Sequence, residues 1–349
     1  MQNFWDTLPK PFFCLAPLAN VTDAAFRRII AKYSKPAGPA VMCTEFVSAD
    51  GLALAPEEGR QKLLCDLLYT EAERPIVAQF FTASPSHMEK AAALAADLGF
   101  DGVDINMGCP DRVVEKQGAG AKLILNPQLA QELIAAAKRG APTLPVSVKT
   151  RLGYNKDVLE EWLPALLAAE PAAIAIHART RKEMSKVPAH WERVKRAVEI
   201  RDEVGSKTQI IGNGDVHDLD DARTKAAETG ADGIMLGRAI FGRPWLFSSG
   251  KGSRAGVGLP FISPEREPFP ELGFRLRVLV EHAKLYEELL GDVKSFAITK
   301  HFKAYVASPG EPGRPRDGFP GAKELRIALM EANNAKEVET MVEQFLAVR

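Results

Sequence analysis

The chain has 349 residues, 46% of them hydrophobic, and its 45 basic and 45 acidic side chains cancel. That length and apolar content suffice for one large or two ordinary globular domains, and the balanced charge excludes a protein drawn onto nucleic acid or anionic membrane by its overall field, so any RNA contact must be a local basic patch. Four cysteines, at 14, 43, 65 and 109, have neither the density of a disulfide framework nor C-x-x-C spacing, so no metal site is expected; the lack of an apolar run near about 20 residues adds the expectation of a cytoplasmic protein that meets no membrane.

Eight short apolar, β-rich runs follow one another: 12–19, 41–46, 76–81, 102–108, 145–150, 173–179, 209–214 and 233–238. Runs without polar alternation suit strands buried on both faces, as in parallel sheets. Helices are predicted between them, with Ser84-Pro85 and Asn126-Pro127 as starts and Gly99 and Gly140 as stops. Alternating strand and helix means βαβ units, and eight of them favour an α/β fold closed as a (β/α)8 TIM barrel over a doubly wound sheet. The barrel domain is expected over residues 1–248, a Gly, Pro and charge-rich connector over 249–273, and a smaller helical bundle over 274–349, with helices at 274–290, 293–306, 323–331 and 335–348 and a Pro/Gly-rich loop at 307–321.

In such a barrel the reactive groups lie where strands end. Gln79, Asn106, Lys149, His177 and Arg179 stand in or beside apolar strands, where burial without a partner costs about 1–3 kcal/mol, so something must satisfy them. Lys149 is placed to stabilise a reduced cofactor ring or to pair with a buried carboxylate; Gln79 and Asn106 could hold a flavin or pyrimidine edge or be satisfied core amides. His177 could hold a flavin, act as an acid or be structural. The last two strands end in Gly212-Asn213-Gly214-Asp215 and Gly237-Arg238, either tight turns or the phosphate site common after strands seven and eight. No G-x-G-x-x-G follows the first strand, which argues against a Rossmann nicotinamide domain. Cys109, just past the fourth strand, is the one cysteine placed for chemistry, as a general acid whose ordinary pKa is near 8.5. Cys14, Cys43 and Cys65 read as small core residues.

The string Asp104-Ile105-Asn106-Met107-Gly108-Cys109-Pro110 with Gly118-Ala119-Gly120-Ala121 resembles the signature of the tRNA-dihydrouridine synthases, most closely the bacterial B type. So do Ala16-Pro17-Leu18-Ala19, Lys149-Thr150-Arg151-Leu152-Gly153, His177-Ala178-Arg179-Thr180-Arg181 and Gly237-Arg238, in the same order. Ala178 stands where that family usually has glycine. The resemblance implies FMN held by Pro17, Leu18, Ala19, Gln79, Lys149, Asn213, Gly214, Asp215, Gly237 and Arg238, to which the strand position of His177 adds a further expected contact, and NADPH as its reductant. It implies hydride transfer to C6 of a flipped-out uridine, protonation of C5 by Cys109, and Asn106 and Arg179 as contacts to the uracil edge. It implies tRNA, not DNA, as partner, bound by the helical tail, where residues 294–326 carry seven basic and three acidic side chains, a net +4. The chain is expected to act as a monomer. The competing readings are a small-molecule flavin reductase of the dihydroorotate dehydrogenase type, which would not need the tail, and a catalytically silent tRNA-binding protein, against which Cys109 and Lys149 argue.

Overall fold

Apolar runs that would leave an open sheet with two dry faces and two raw edges are satisfied by closing the sheet on itself. The computed structural model describes residues 3–35, 37–248, 272–296, 298–306 and 319–348. Its strands are β1 (Phe12–Leu15), β2 (Met42–Ser48), β3 (Ile76–Phe81), β4 (Gly102–Met107), β5 (Val146–Arg151), β6 (Ala173–His177), β7 (Gln209–Asn213) and β8 (Gly233–Leu236). All pair in parallel, in the order β1-β8-β7-β6-β5-β4-β3-β2. The ring closes where Leu15 N–H donates to Val41 O at 3.0 Å and Ala40 N–H donates to Phe13 O at 2.8 Å. The expected (β/α)8 barrel is therefore present, the run 76–81 matched at both ends by β3 and the other seven trimmed or shifted by a few residues.

The helices in chain order are α1 (Ala24–Ser34), α2 (Ala49–Leu54), α3 (Glu57–Leu64), α4 (Pro85–Asp97), α5 (Arg112–Lys116), α6 (Pro127–Gly140), α7 (Leu159–Leu167), α8 (Trp191–Glu203) and α9 (Leu219–Thr229). Ser84 caps α4 by accepting from His87 N–H at 3.4 Å, and Asn126 caps α6 by accepting from Leu129 N–H at 3.2 Å, each ahead of a proline in the first turn. Gly140 is the last residue of α6, where the stop was expected, and a Cβ there would lie 2.0 Å from Glu89 O of α4. The close crossing of the two helices is what requires glycine.

The chain divides into two compact units, residues 1–19 with 39–238 and residues 20–38 with 239–349. The first is the barrel with α2 to α9. The second joins α1 to α10 (Leu272–Leu290), α11 (Thr299–Val306), α12 (Ala322–Met330) and α13 (Ala335–Ala347). Within this second unit Phe26 of α1 stacks on His282 at 4.9 Å between centroids, and Tyr33 donates to Glu281 at 2.6 Å. A helix that lies between β1 and β2 in the chain thus packs with the C-terminal helices, a grouping that periodicity cannot reveal. The helix expected from 293 begins only at Thr299. Most of the expected connector, 249–271, and residues 307–318 of the Pro/Gly-rich loop lie outside the described residues. Among the described residues no helix is long and apolar enough to cross a membrane.

Candidate active site

Alternate residues of each barrel strand point to the axis. Near the strand starts these are apolar: Phe12, Cys14, Val41, Cys43, Val77, Ala173, Ala175, Ile211 and Met235 form one buried cluster with Trp5. Cys14 and Cys43 are thus the core residues expected. Cys65 is not, since it sits in a single 3-10 turn and is only partly buried.

Towards the strand ends the interior turns polar. Gln79 donates to Asp104 at 2.6 Å and accepts from Asn106 at 3.1 Å, while Ser147 gives Asp104 a second hydrogen bond at 2.6 Å. Lys149 lies beside Asn106 in register and donates to Asn213 Oδ1 at 3.2 Å; Asn213 in turn donates to Met235 O at 2.8 Å. His177 pairs in register with both Arg151 and Asn213. One belt from β3 to β7 therefore contains four of the amides and cations singled out from the sequence, together with His177.

Burial sets the charge states of this belt. Desolvation raises Asp104 to about 6, against help from Ser147 and Gln79, and lowers Lys149 to about 8, with Arg151 adding repulsion. His177 is pushed far below the usual imidazole range, first by burial and then by Arg151, Lys149, Arg179 and Arg238, so it is a neutral hydrogen-bonding group. The mouth of the barrel is a cationic, poorly hydrated surface, suited to stabilising negative charge that develops on a bound ring system.

Cys109 begins the loop after β4. Asn106 Oδ1 accepts from the N–H groups of Gly108, at 3.2 Å, and Cys109, at 2.9 Å, and Arg151 Nε donates to Gly108 O at 2.7 Å. The Cys109 carbonyl accepts from Ala121 N–H at 2.9 Å. Its side chain packs, partly buried, against Phe81, Val114 and Ala119. Burial pushes the thiol up, so it is protonated at neutral pH despite Arg151 and Lys149 nearby. Asn106 is committed to shaping this loop; only one of its amide hydrogens lacks a protein acceptor.

After β7 and β8 the side chains of Asp215 and the two arginines turn to each other. Arg179 donates to Asp215, to Val187 O at 2.6 Å and lies 3.2 Å from His177 Nε2. Asp215 also accepts from Arg238 at 2.8 Å and from Ala189 N–H at 3.0 Å. Arg179 is 2% exposed, a wall residue that orients its neighbours, whereas the Arg238 side chain is 65% exposed. Arg151, Asp104 and Ser147 join the site with no role expected of them from the sequence. Period-two spacing with Lys149 would have put Ser147 and Arg151 on the same inward face.

A parallel barrel whose C-terminal rim gathers a protonated thiol, a desolvated lysine and a ring of amides is that of a cofactor-dependent oxidoreductase. Solved barrels share the fold: a histamine dehydrogenase from Rhizobium matches with TM-score 0.50 and 14% identity, over 70% of this chain and 47% of its own. A 2-naphthoyl-CoA reductase matches with TM-score 0.51 and 12% identity, over 70% and 52%. The chain spans about half of each, and at these identities the likeness shows the fold alone. The sequence model of the dihydrouridine synthases matches residues 14–348. A probable tRNA-dihydrouridine synthase of Staphylococcus aureus is 37% identical over 99% of this chain and 96% of its own, and a probable tRNA-dihydrouridine synthase 2 of Bacillus subtilis is 38% identical over 99% and 97%. The chain belongs to the dihydrouridine synthase family.

FMN, the group this membership implies, fits the residues present. Lys149 spends one of its three ammonium donors on Asn213. Gly237 has no left-handed φ, and a Cβ there would meet only Ala16 at 3.7 Å and Leu18 at 3.9 Å, ordinary contact. The chain's own packing does not require glycine at 237, and the missing side chain leaves the backbone bare beside Arg238.

Proposed function

We propose that the rim of the barrel unit, with Cys109 as proton donor, is where this dihydrouridine synthase reduces uridine in tRNA to 5,6-dihydrouridine. FMN, reduced by NADPH, supplies the hydride for C6 of the uracil when bound. Pro17, Leu18, Ala19, Gln79, Lys149, His177, Asn213, Gly214, Gly237 and Arg238 would hold it, with Asp215 aiming Arg179 and Arg238 rather than meeting the phosphate itself, since a carboxylate repels an anion. Cys109 gives its proton to C5 and recovers one from solvent. Lys149 steadies negative charge while its ammonium persists, and neutral His177 offers a hydrogen bond without adding charge.

One observation supports this reading most directly: a thiol that burial keeps protonated shares a rim with a lysine that burial has left short of partners. The base must leave its stack to reach that rim. In the helical unit, α11 buries His301, Phe302, Tyr305 and Val306 and turns Lys300 and Lys303 to solvent. With Lys294, Lys323 and Arg326 these residues suit an RNA backbone, and we assign tRNA docking to this unit, in a cytoplasmic enzyme acting as a monomer on tRNA and not on DNA.

The test maps dihydrouridine position by position in tRNA from cells lacking the protein. Loss at one or more sites is expected; loss at none overturns the substrate assignment. The Cys109→Ala enzyme should keep its yellow flavin and oxidise NADPH with oxygen while losing about 100-fold or more of uridine reduction. Unchanged turnover would remove Cys109 from the mechanism.

A further inference from the structure

The loop that carries Cys109 is tied at its start by Asn106 and Arg151 and through the Cys109 carbonyl by Ala121, while the helix that follows rests on two contacts. α5 is five residues long, far too short to persist alone. On one side it is anchored by Val114, which packs with Phe81, Ala119, Phe46 and Cys109. On the other side stands Glu115. Both of its carboxylate oxygens accept from Arg181: Oε1 from Nε at 2.7 Å, Oε2 from the terminal nitrogen. The Glu115 side chain is 9% exposed and Arg181 28%, and such a fork-on-carboxylate pair is directional as well as charged.

Arg181 itself is fixed. It lies in the loop after β6, where its N–H donates to Gly153 O at 2.8 Å and the N–H of Lys182 donates to Tyr154 O at 2.9 Å. Its guanidinium stands over the Tyr154 ring at 5.1 Å. Arg151 ties the same three loops nearer the axis, through Gly108 O at 2.7 Å and through Thr180 O and Met184 O, both at 3.3 Å. The loops after β5 and β6 thus form one braced block, and α5 meets it through Glu115.

We infer that Glu115 and Arg181 form a latch that pins the Cys109 loop to the loop after β6 and so holds the Cys109 sulfur at the barrel mouth. Neither residue touches the reacting atoms. Both are positioning residues, and the inference rests on the acid role of Cys109 stated above. Two partners 66 residues apart in sequence close the loop from outside, so the latch acts on where the thiol points rather than on whether the barrel folds.

The test uses the full-length holoenzyme and three variants: Glu115→Gln, Arg181→Gln and the charge-swapped double variant Glu115→Arg with Arg181→Glu. Two readouts are taken, the rate of Cys109 alkylation by iodoacetamide, resolved from the other cysteines by peptide mass spectrometry, and kcat and KM on tRNA. Each single variant should alkylate at Cys109 about tenfold faster and lose about tenfold in kcat, with KM within about twofold and flavin content unchanged. The swapped pair should return both readouts towards wild type, by the logic of a double-mutant cycle. Single variants whose alkylation rate and kcat match wild type would overturn the latch, and so would single variants that lose flavin and fold together. If the wild type itself leaves tRNA uridine unreduced, the substrate reading fails, while the alkylation rates still decide the latch.

Discussion

At Lys149 the demands of folding and of chemistry pull in opposite directions. The side chain projects into a barrel whose interior is largely apolar below it, and its folded pKa of about 8 lies below its ordinary 10.5. Between those two values the unfolded chain binds the extra proton and the folded chain does not, so this lysine lowers stability in full below about pH 8, and the loss fades as pH rises to 10.5. Lys149→Met, which also strands Asn213 Oδ1, is expected to stabilise the protein at pH 7 by a net of about 1–2 kcal/mol in urea titrations, with the gain shrinking above pH 8. The same variant should lose uridine reduction. A Lys149→Met protein no more stable than its parent at neutral pH would show that the ammonium is better solvated than its surroundings imply. Asp104 shows the converse case, a carboxyl raised to about 6 by burial and kept in place by Gln79 and Ser147.

Among the elements, the loop after β4 is the most exacting. Gly120 takes φ +62°, and a Cβ there would stand 2.7 Å from Cys109 O and 2.8 Å from Val114 Cγ1. Gly120→Ala is therefore expected to cost about 1–3 kcal/mol in thermal or urea unfolding and to depress kcat by misplacing the acid, while the circular dichroism of the barrel stays intact. Parental kcat in the Gly120→Ala enzyme would mean that the loop tolerates a shift. This loop was legible in the sequence because its glycines, its cysteine and its proline lie within a dozen residues. So were the eight strands, whose uninterrupted apolar runs have one physical solution, and the proline-led starts of α4 and α6. What escaped was long-range. Nothing local marks Glu115 as the partner of Arg181, ties Gly140 to a carbonyl of α4, or shows that α11 starts only at Thr299. Arg179 and Asn106 stand at or just past strand ends, yet whether their donors face a substrate or the protein wall depends on Val187, Asp215 and Gln79, which no spacing rule connects.

For the molecule as a whole, the helical unit carries an acid-sensitive centre. His282 and His301 are 0% and 1% exposed, with ring centroids 4.8 Å apart and Phe26 against both. Burial lowers both, His301 to about 3. The unfolded chain takes up these protons below about pH 6.5 and the folded chain does not, so stability present above that value is lost as pH falls, by about 1.4 kcal/mol per pH unit for each histidine. Urea titrations at pH 7.5 and pH 5 should differ by about 2 kcal/mol per histidine, and His301→Phe should remove about half of the difference. A pH-independent midpoint would show that the folded chain takes up these protons as readily as the unfolded chain does. The make-up of this unit also bears on biosynthesis. In the chain 238 residues separate the start of α10, Leu272, from Ser34 at the end of α1. At ~5–20 residues per second, α1 leaves the ribosome ~10–50 s before the helix whose His282 covers Phe26, so the nascent protein must shield a bare aromatic face throughout that interval.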